Sequence, residues 1–222
     1  MITLNSEKLN ILRLSPLFAG NDDDAVAAVL DAFDARTETY RKGEILHAAE
    51  TPLPRFGMVL KGVVEACIDD INGNRVIMTD VSPGVTFGES LCYLRVTDSP
   101  VYIYAAEDCE IIWLDPAVLY SDECEPFVNG IKTRFTSMLA KRTLSMNNRI
   151  QVLSKLRLRE KLVTYFSELA SEAGSRIFTI PMSREDMATY IGANRTAVSR
   201  EMAAMKKEGL IDYHMNTVRI LD

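Results

Sequence analysis

The chain has 222 residues, 47% of them hydrophobic and 25% charged, and a net charge of −6. That is the composition of a globular protein, not of a disordered or fibrous one. No run approaches the roughly 18 apolar residues of a membrane span, and the N-terminus lacks a basic segment followed by a sustained apolar one, so no membrane partner is predicted and the cytoplasm is the expected compartment. The acidity taken alone argues against nucleic acid, but the charge is uneven. Residues 1–154 hold 14 Lys and Arg against 22 Asp and Glu, whereas residues 155–222 hold 11 against 9. An acidic front and a mildly basic tail point to two parts with different partners.

In chain order, Asn21 or Asp22 caps a first helix with acidic residues in its first turn and Val26, Val29, Leu30 and Phe33 at helical spacing. From Tyr40 to Leu114, short runs rich in Val, Ile, Tyr and Phe alternate with glycine or proline, which predicts an antiparallel sandwich or barrel. The Asn72-Gly73 pair between two such runs is a hairpin signal. Cys67, Cys92, Cys109 and Cys124 show neither C-x-x-C pairing nor histidines at metal spacing, so reduced, buried thiols are expected.

At Glu125-Pro126 the pattern turns helical and stays so to about Ala173, with Pro126 suited to a first turn. Phe135, Leu139, Arg142, Met146, Arg149 and Leu153 alternate spacings of four and three, a coiled-coil-like seam interrupted by arginines. A long helix of this kind finds its partner in a second copy of itself, and a homodimer is predicted. After a glycine break and a short strand, Ser183 caps a helix, Gly192 makes a turn, and a second helix runs from about Asn194 to Glu208 before Gly209. Two short strands around Asn216 close the chain. Helix, glycine turn, helix and hairpin make a winged helix-turn-helix.

On the second of these helices Val198, Met202 and Met205 share one face. Thr196, Ser199, Arg200 and Ala203 point the other way, with Arg195 on the flank. Short, polar and basic residues near a helix N-terminus are what a major-groove reader presents. Arg200 suits a bidentate contact to guanine, Arg195 a base or phosphate, Ser199 a base edge or phosphate, and Ser183 and Thr196 complete the expected DNA-contacting set. Lys206 and Lys207 fit phosphate contacts and equally fit plain solubilising charge.

An enzyme is not predicted. A metal-dependent jelly roll needs two or three histidines in its barrel, and here His47 stands alone. The other histidine, His214, falls in the predicted wing, so no nucleophilic triad can form. No cofactor is expected.

"KGEIL", "FGMVLKGVVE", "DINGN", "PGVTFGE" and "AAEDCEI" in the front, with glycines at 43, 62, 73, 84 and 88, together with "MSREDMATYIGANRTAVSREMAAMKKEGLI" in the back, resemble the cyclic-AMP receptor protein / fumarate-nitrate regulator (CRP/FNR) family over nearly the whole chain. The resemblance implies an α+β chain with an antiparallel jelly roll of the cyclic-nucleotide-binding type as effector-sensing domain (1–124). A dimerisation helix (125–154) and a winged helix-turn-helix (155–222) follow. It implies a transcriptional regulator that binds palindromic double-stranded DNA as a homodimer, with RNA polymerase among the partners open to it. A hinge is expected at Ser154 to Leu158.

Two departures qualify this. Family members that bind cyclic AMP carry a Gly-Glu pair followed by Arg-Ser or Arg-Thr, whereas here Gly88-Glu89 is followed by Ser99-Pro100. A buried phosphate needs an opposing charge or several donors. Proline has no N–H and serine no charge, so cyclic AMP is not the expected effector unless Arg95 swings in. At Thr196, two family members named by the resemblance have a glutamate, which implies an altered half-site. No cysteine precedes Cys67, which argues against an N-terminal iron–sulfur centre. The expected effector is a small organic molecule near Gly88, Glu89, Tyr93, Ser99, Tyr102 and Tyr104, with Met146 and Asn147 on the long helix. Tyr102 and Tyr104 must share a face, and could instead roof the core. A redox-, haem- or gas-responsive regulator, with His47, Cys67 or Cys92 as ligand, and a regulatory subunit that binds cyclic nucleotides but not DNA are the alternatives.

Overall fold

A computed structural model describes residues 5–123 and 125–221. The chain divides into two compact units, Met1–Met138 and Leu139–Asp222. The division falls inside the long helix, not at either of its ends.

The first unit opens with helices α1 (Ser6–Leu12) and α2 (Asp23–Ala32). Asp22, not Asn21, caps α2: its carboxylate accepts from Ala25 N at 2.9 Å, and Asp23 and Asp24 add negative charge where the helix dipole favours it. Eight strands follow: β1 (Arg36–Tyr40), β2 (Ile45–His47), β3 (Phe56–Lys61), β4 (Val64–Asp69), β5 (Arg75–Val81), β6 (Thr86–Phe87), β7 (Tyr102–Ala105) and β8 (Cys109–Leu114). Helix α3 (Glu89–Tyr93) lies between β6 and β7, and α4 (Ala117–Tyr120) follows β8. The sheets run β1-β8-β3-β6 and β2-β7-β4-β5, all pairings antiparallel. This interleaving is a jelly roll. The β4–β5 hairpin forms where the Asn-Gly signal predicted it, but with a five-residue loop, since Asp69 pairs with Arg75. The cause is Asp70, whose carboxylate accepts from the backbone of Asn72 (2.8 Å) and Asn74 (2.9 Å) and so builds the turn around itself.

Helix α5 runs Pro126–Leu153. Its first half belongs to the sandwich: Val128, Ile131, Phe135 and Met138 are buried at spacings of three and four, and Phe135 packs on Phe56 at 5.6 Å, which meets Phe33 edge-on at 5.6 Å. This corrects the expected seam at its start. Phe135 is core of its own unit and cannot also face a second copy.

The second unit contains the rest of α5, then α6 (Leu158–Ala173), β9 (Ile177–Thr179), α7 (Arg184–Tyr190), α8 (Arg195–Lys207), β10 (Ile211–His214) and β11 (Thr217–Ile220), with sheet order β10-β11-β9. Residues 154–157 interrupt the helix between α5 and α6, and Leu156 there is almost wholly exposed. Val152, Leu162, Phe166, Phe178, Met187, Ile191, Val198, Met202 and Met205 form the core. Among the described residues no helix is long and apolar enough to cross a membrane.

Candidate functional site

Helix α8 is set by local chemistry. Asn194 caps it, accepting from Thr196 N at 2.8 Å. Ser183 caps α7 by accepting from Asp186 N at 3.1 Å while its hydroxyl donates to the Asp186 carboxylate at 2.6 Å. The two helices meet at Gly192, whose φ of 64° suits glycine, and where an added Cβ would come within 3.1 Å of Leu153. Val198, Met202 and Met205 are buried, while Thr196, Ser199, Arg200 and Ala203 are exposed, as the helical spacing requires. Arg195 makes only a loose 3.7 Å pair with Glu185, both side chains mostly in water, a contact of little energy. Among the described residues Arg200 makes no ion pair, so the exposed face of α8 carries one unpaired and one weakly held guanidinium on a helix packed by Val198, Met202 and Met205.

The two lysines at the end of α8 differ. Lys206 pairs with Asp212 at 2.6 Å and lies 5.2 Å from the Tyr213 ring, both at the surface of β10. Lys207 is exposed. Arg184, which periodicity did not single out, ties the unit together. Its guanidinium donates to Met215 O at the wing turn (2.7 Å), meets the Met202 sulfur of α8 (2.8 Å) and lies 5.4 Å from the Tyr213 ring. Asn216 adds a bond to Met182 O at 3.1 Å. A signal for Arg184 did exist in the sequence: a cation in the first turn of a helix opposes the macrodipole, so its presence needs another reason, and the wing supplies it.

In the first unit Gly88 begins α3 in the left-handed region (φ 76°), and a Cβ there would lie 2.4 Å from Leu53. Glu89 is 3% exposed and accepts from the Thr86 hydroxyl. Ser99 is 8% exposed, but its hydroxyl accepts from Val101 N at 3.2 Å and its carbonyl from Glu50 N at 2.8 Å, within its own loop. The three tyrosines fall into two groups. Tyr93 stacks on Tyr120 at 5.2 Å and packs against Phe135 at 5.7 Å. Tyr102 and Tyr104 do share a face, but Ile103 and Ala105 are the buried residues of β7. Instead of roofing the core, the two tyrosines meet Arg75, which lies 4.0 Å over the Tyr104 ring and donates to the Tyr102 hydroxyl at 3.2 Å. Met146 and Asn147 are exposed on α5.

His47 is 7% exposed and borders a cleft of about 350 Å³ with Tyr40, Leu53 and Trp113. Burial holds its pKa below the ordinary 6.5. A depressed folded pKa means that its contribution to stability is complete above the unfolded value and lost as pH falls through it toward the folded one. The melting temperature is therefore expected to fall as pH drops from about 7 to about 5, and His47→Gln is expected to flatten that fall. Burial also pushes the thiols of Cys67 and Cys109 up and that of Cys92 to about 12. Protonated thiols are poor nucleophiles, so iodoacetamide at neutral pH is expected to leave these three unlabelled until the protein is unfolded. Cys124 lies outside the described residues.

Comparison with known proteins accords with both units. Residues 37–121 match the cyclic nucleotide-binding domain, and residues 160–222 match the Crp-like helix-turn-helix domain. Electron transport regulator A of Shewanella oneidensis is 23% identical over 198 residues, covering 87% of this chain and 78% of its own. The cAMP-activated global transcriptional regulator CRP of Haemophilus influenzae is 22% identical over 200 residues, covering 86% and 87%. Among solved structures, the catabolite activator protein of Thermus thermophilus shares the fold with a TM-score of 0.50 at 21% identity, covering 93% of each chain. DNR from Pseudomonas aeruginosa does so at 0.51 and 19%, covering 100% and 96%.

Proposed function

The chain belongs to the CRP/FNR family of transcriptional regulators, and we propose that it acts as a homodimer in which paired α8 helices read a two-fold symmetric DNA site, under the control of a small organic effector taken up by the first unit. The observation that carries this reading is the exposed face of α8. Thr196, Ser199 and Ala203 are short enough to let the helix approach base edges. In this reading the exposed Arg200 contacts guanine, Arg195 a base or phosphate and Lys207 a phosphate, while Ser183, whose hydroxyl is bonded to Asp186, would reach a phosphate only by giving up that bond. The protein would work in the cytoplasm by binding alone, without catalysis.

The rest of α5 supports the dimer. Met146, Ile150 and Leu153 are 61%, 60% and 40% exposed at spacings of four and three, an apolar stripe that a second α5 would cover. Fluorescence anisotropy against a random-sequence duplex at rising salt tests DNA binding in its general form. Affinity is expected to fall steeply as released counterions lose their advantage. No binding, or binding indifferent to salt, would count against the reading.

The effector is not cyclic AMP in this proposal, although relatives are named as cAMP-activated. The Ser99 hydroxyl can offer a cyclic phosphate one neutral donor and no charge, and Pro100 offers neither N–H nor charge. Arg95, the candidate substitute, lines a cleft with Tyr120 that includes none of Gly88, Glu89 and Ser99. A ligand at 100 times its dissociation constant adds about 2.7 kcal/mol to native stability. The melting temperature is accordingly expected to stay unchanged in excess cyclic AMP, and a clear rise would reverse this part of the proposal. The raised thiols of Cys67, Cys92 and Cys109 weigh against thiol redox as the signal.

A further inference from the structure

The first unit holds an open cleft of about 530 Å³ walled by Pro52, Leu53, Pro54, Val96 and Tyr120, with Arg95 at it. Leu53 also packs against Gly88, so the cleft and the Gly88–Glu89 turn share a wall.

Arg95 is held there at a cost. Helix α3 ends in a Schellman motif: Val96 N donates to Leu91 O at 2.9 Å and Arg95 N to Cys92 O at 3.2 Å. The left-handed residue in this motif is usually glycine, yet here it is Arg95, with φ 53°. A residue kept in a strained conformation over-determined by its surroundings points to a role. Its guanidinium lies 4.8 Å from the Tyr120 ring, and among the described residues no carboxylate pairs with it. The acid of the cleft, Asp115, is already engaged by Arg55 at 3.0 Å and by Ala117 N at 3.0 Å. The charge left to recognise a ligand is positive, and the walls around it are apolar and aromatic.

The cleft is also wired to α5. Tyr120 stacks nearly parallel on Tyr93, with ring centroids 5.2 Å apart and planes 12° apart, and its hydroxyl donates to the Tyr93 carbonyl at 2.6 Å. Tyr93 in turn packs on Phe135 of α5 at 5.7 Å. A ligand that displaces or pins Tyr120 acts on α5 through two ring contacts.

We propose that this cleft binds a small aromatic carboxylate, its carboxylate forked by Arg95 and its ring lying against Tyr120 and the prolines, and that occupancy is passed to α5 through Tyr93. A planar guanidinium matches a carboxylate bidentately, and a cleft of this size with apolar walls and one convergent charge is the usual form of a small-ligand site. The proposal rests on the reading that the first unit takes up the effector, and it names the place and chemical class.

The test is ligand-observed NMR of the full chain with benzoate, and with benzamide as its uncharged counterpart, on the native protein and on Arg95→Gly. Glycine removes the guanidinium while relieving the left-handed backbone, so the variant should keep the fold, which its melting temperature checks. Benzoate is expected to bind the native protein at millimolar concentration, and to lose about tenfold or more in affinity both on Arg95→Gly and on replacement by benzamide. Benzoate failing to bind the native protein, binding Arg95→Gly as well, or matching benzamide would each overturn the proposal. Duplex binding by the same two proteins without benzoate is measured alongside. A failure of the cleft with DNA binding intact thus stands apart from a failure of the regulator reading.

Discussion

Arg200→Ala is expected to lower affinity for the specific duplex by about 1–3 kcal/mol at each half-site, while binding to random duplex changes little. The asymmetry follows from position. Arg200 is exposed on α8 one residue beyond Ser199, where the helix turns its short side chains outward, whereas Val198 and Met202 on either side hold the helix down. Removing the guanidinium is therefore expected to leave the scaffold intact while deleting the proposed base contact. Lys206→Ala is expected to affect specific and random duplexes alike, because a half-exposed lysine in a surface pair with Asp212 can add only a phosphate contact. If instead Arg200→Ala weakened specific and random duplexes equally, Arg200 would be a phosphate contact.

Ile150→Asp is expected to dissociate the dimer, raising its dissociation constant by roughly 100-fold or more, or on the order of 3 kcal/mol. Two copies of the carboxylate would enter the stripe formed by Met146, Ile150 and Leu153, which are exposed in the single chain. Leu144 is the internal control. It is 63% exposed but lies about 160° around the helix from Met146, so Leu144→Asp should leave the dimer intact in sedimentation. DNA affinity should fall with the dimer, since two half-sites bound by unlinked chains lose the gain of effective concentration.

The DNA-binding unit was the more legible part of the sequence because its punctuation is local. Ser183, Gly192, Asn194 and Gly209 act within a few residues of themselves, and the buried trio Val198, Met202 and Met205 follows from spacing alone. Legibility ended where contacts became long-range. Alternation along β7 shows that Tyr102 and Tyr104 share a face, but not which face is inward. The structure has Ile103 and Ala105 inward and the two tyrosines outward, where Arg75 of β5 meets both rings. Likewise a four-three repeat along α5 does not reveal where the helix stops packing on its own sandwich. Phe135 belongs to that packing and Met146 does not. The cleft at Arg95 gave no signal, because α3 is only five residues long and lacks the terminal glycine that would have marked its end.

The most direct test of the central claim is selection of bound duplexes from a random library by the purified protein, followed by sequencing. The account predicts enrichment of an inverted repeat whose half-site centres lie about one helical turn, roughly 10–10.5 base pairs, apart. Absence of any enriched sequence, or enrichment of a single asymmetric half-site, would contradict a two-fold dimer reading DNA through α8.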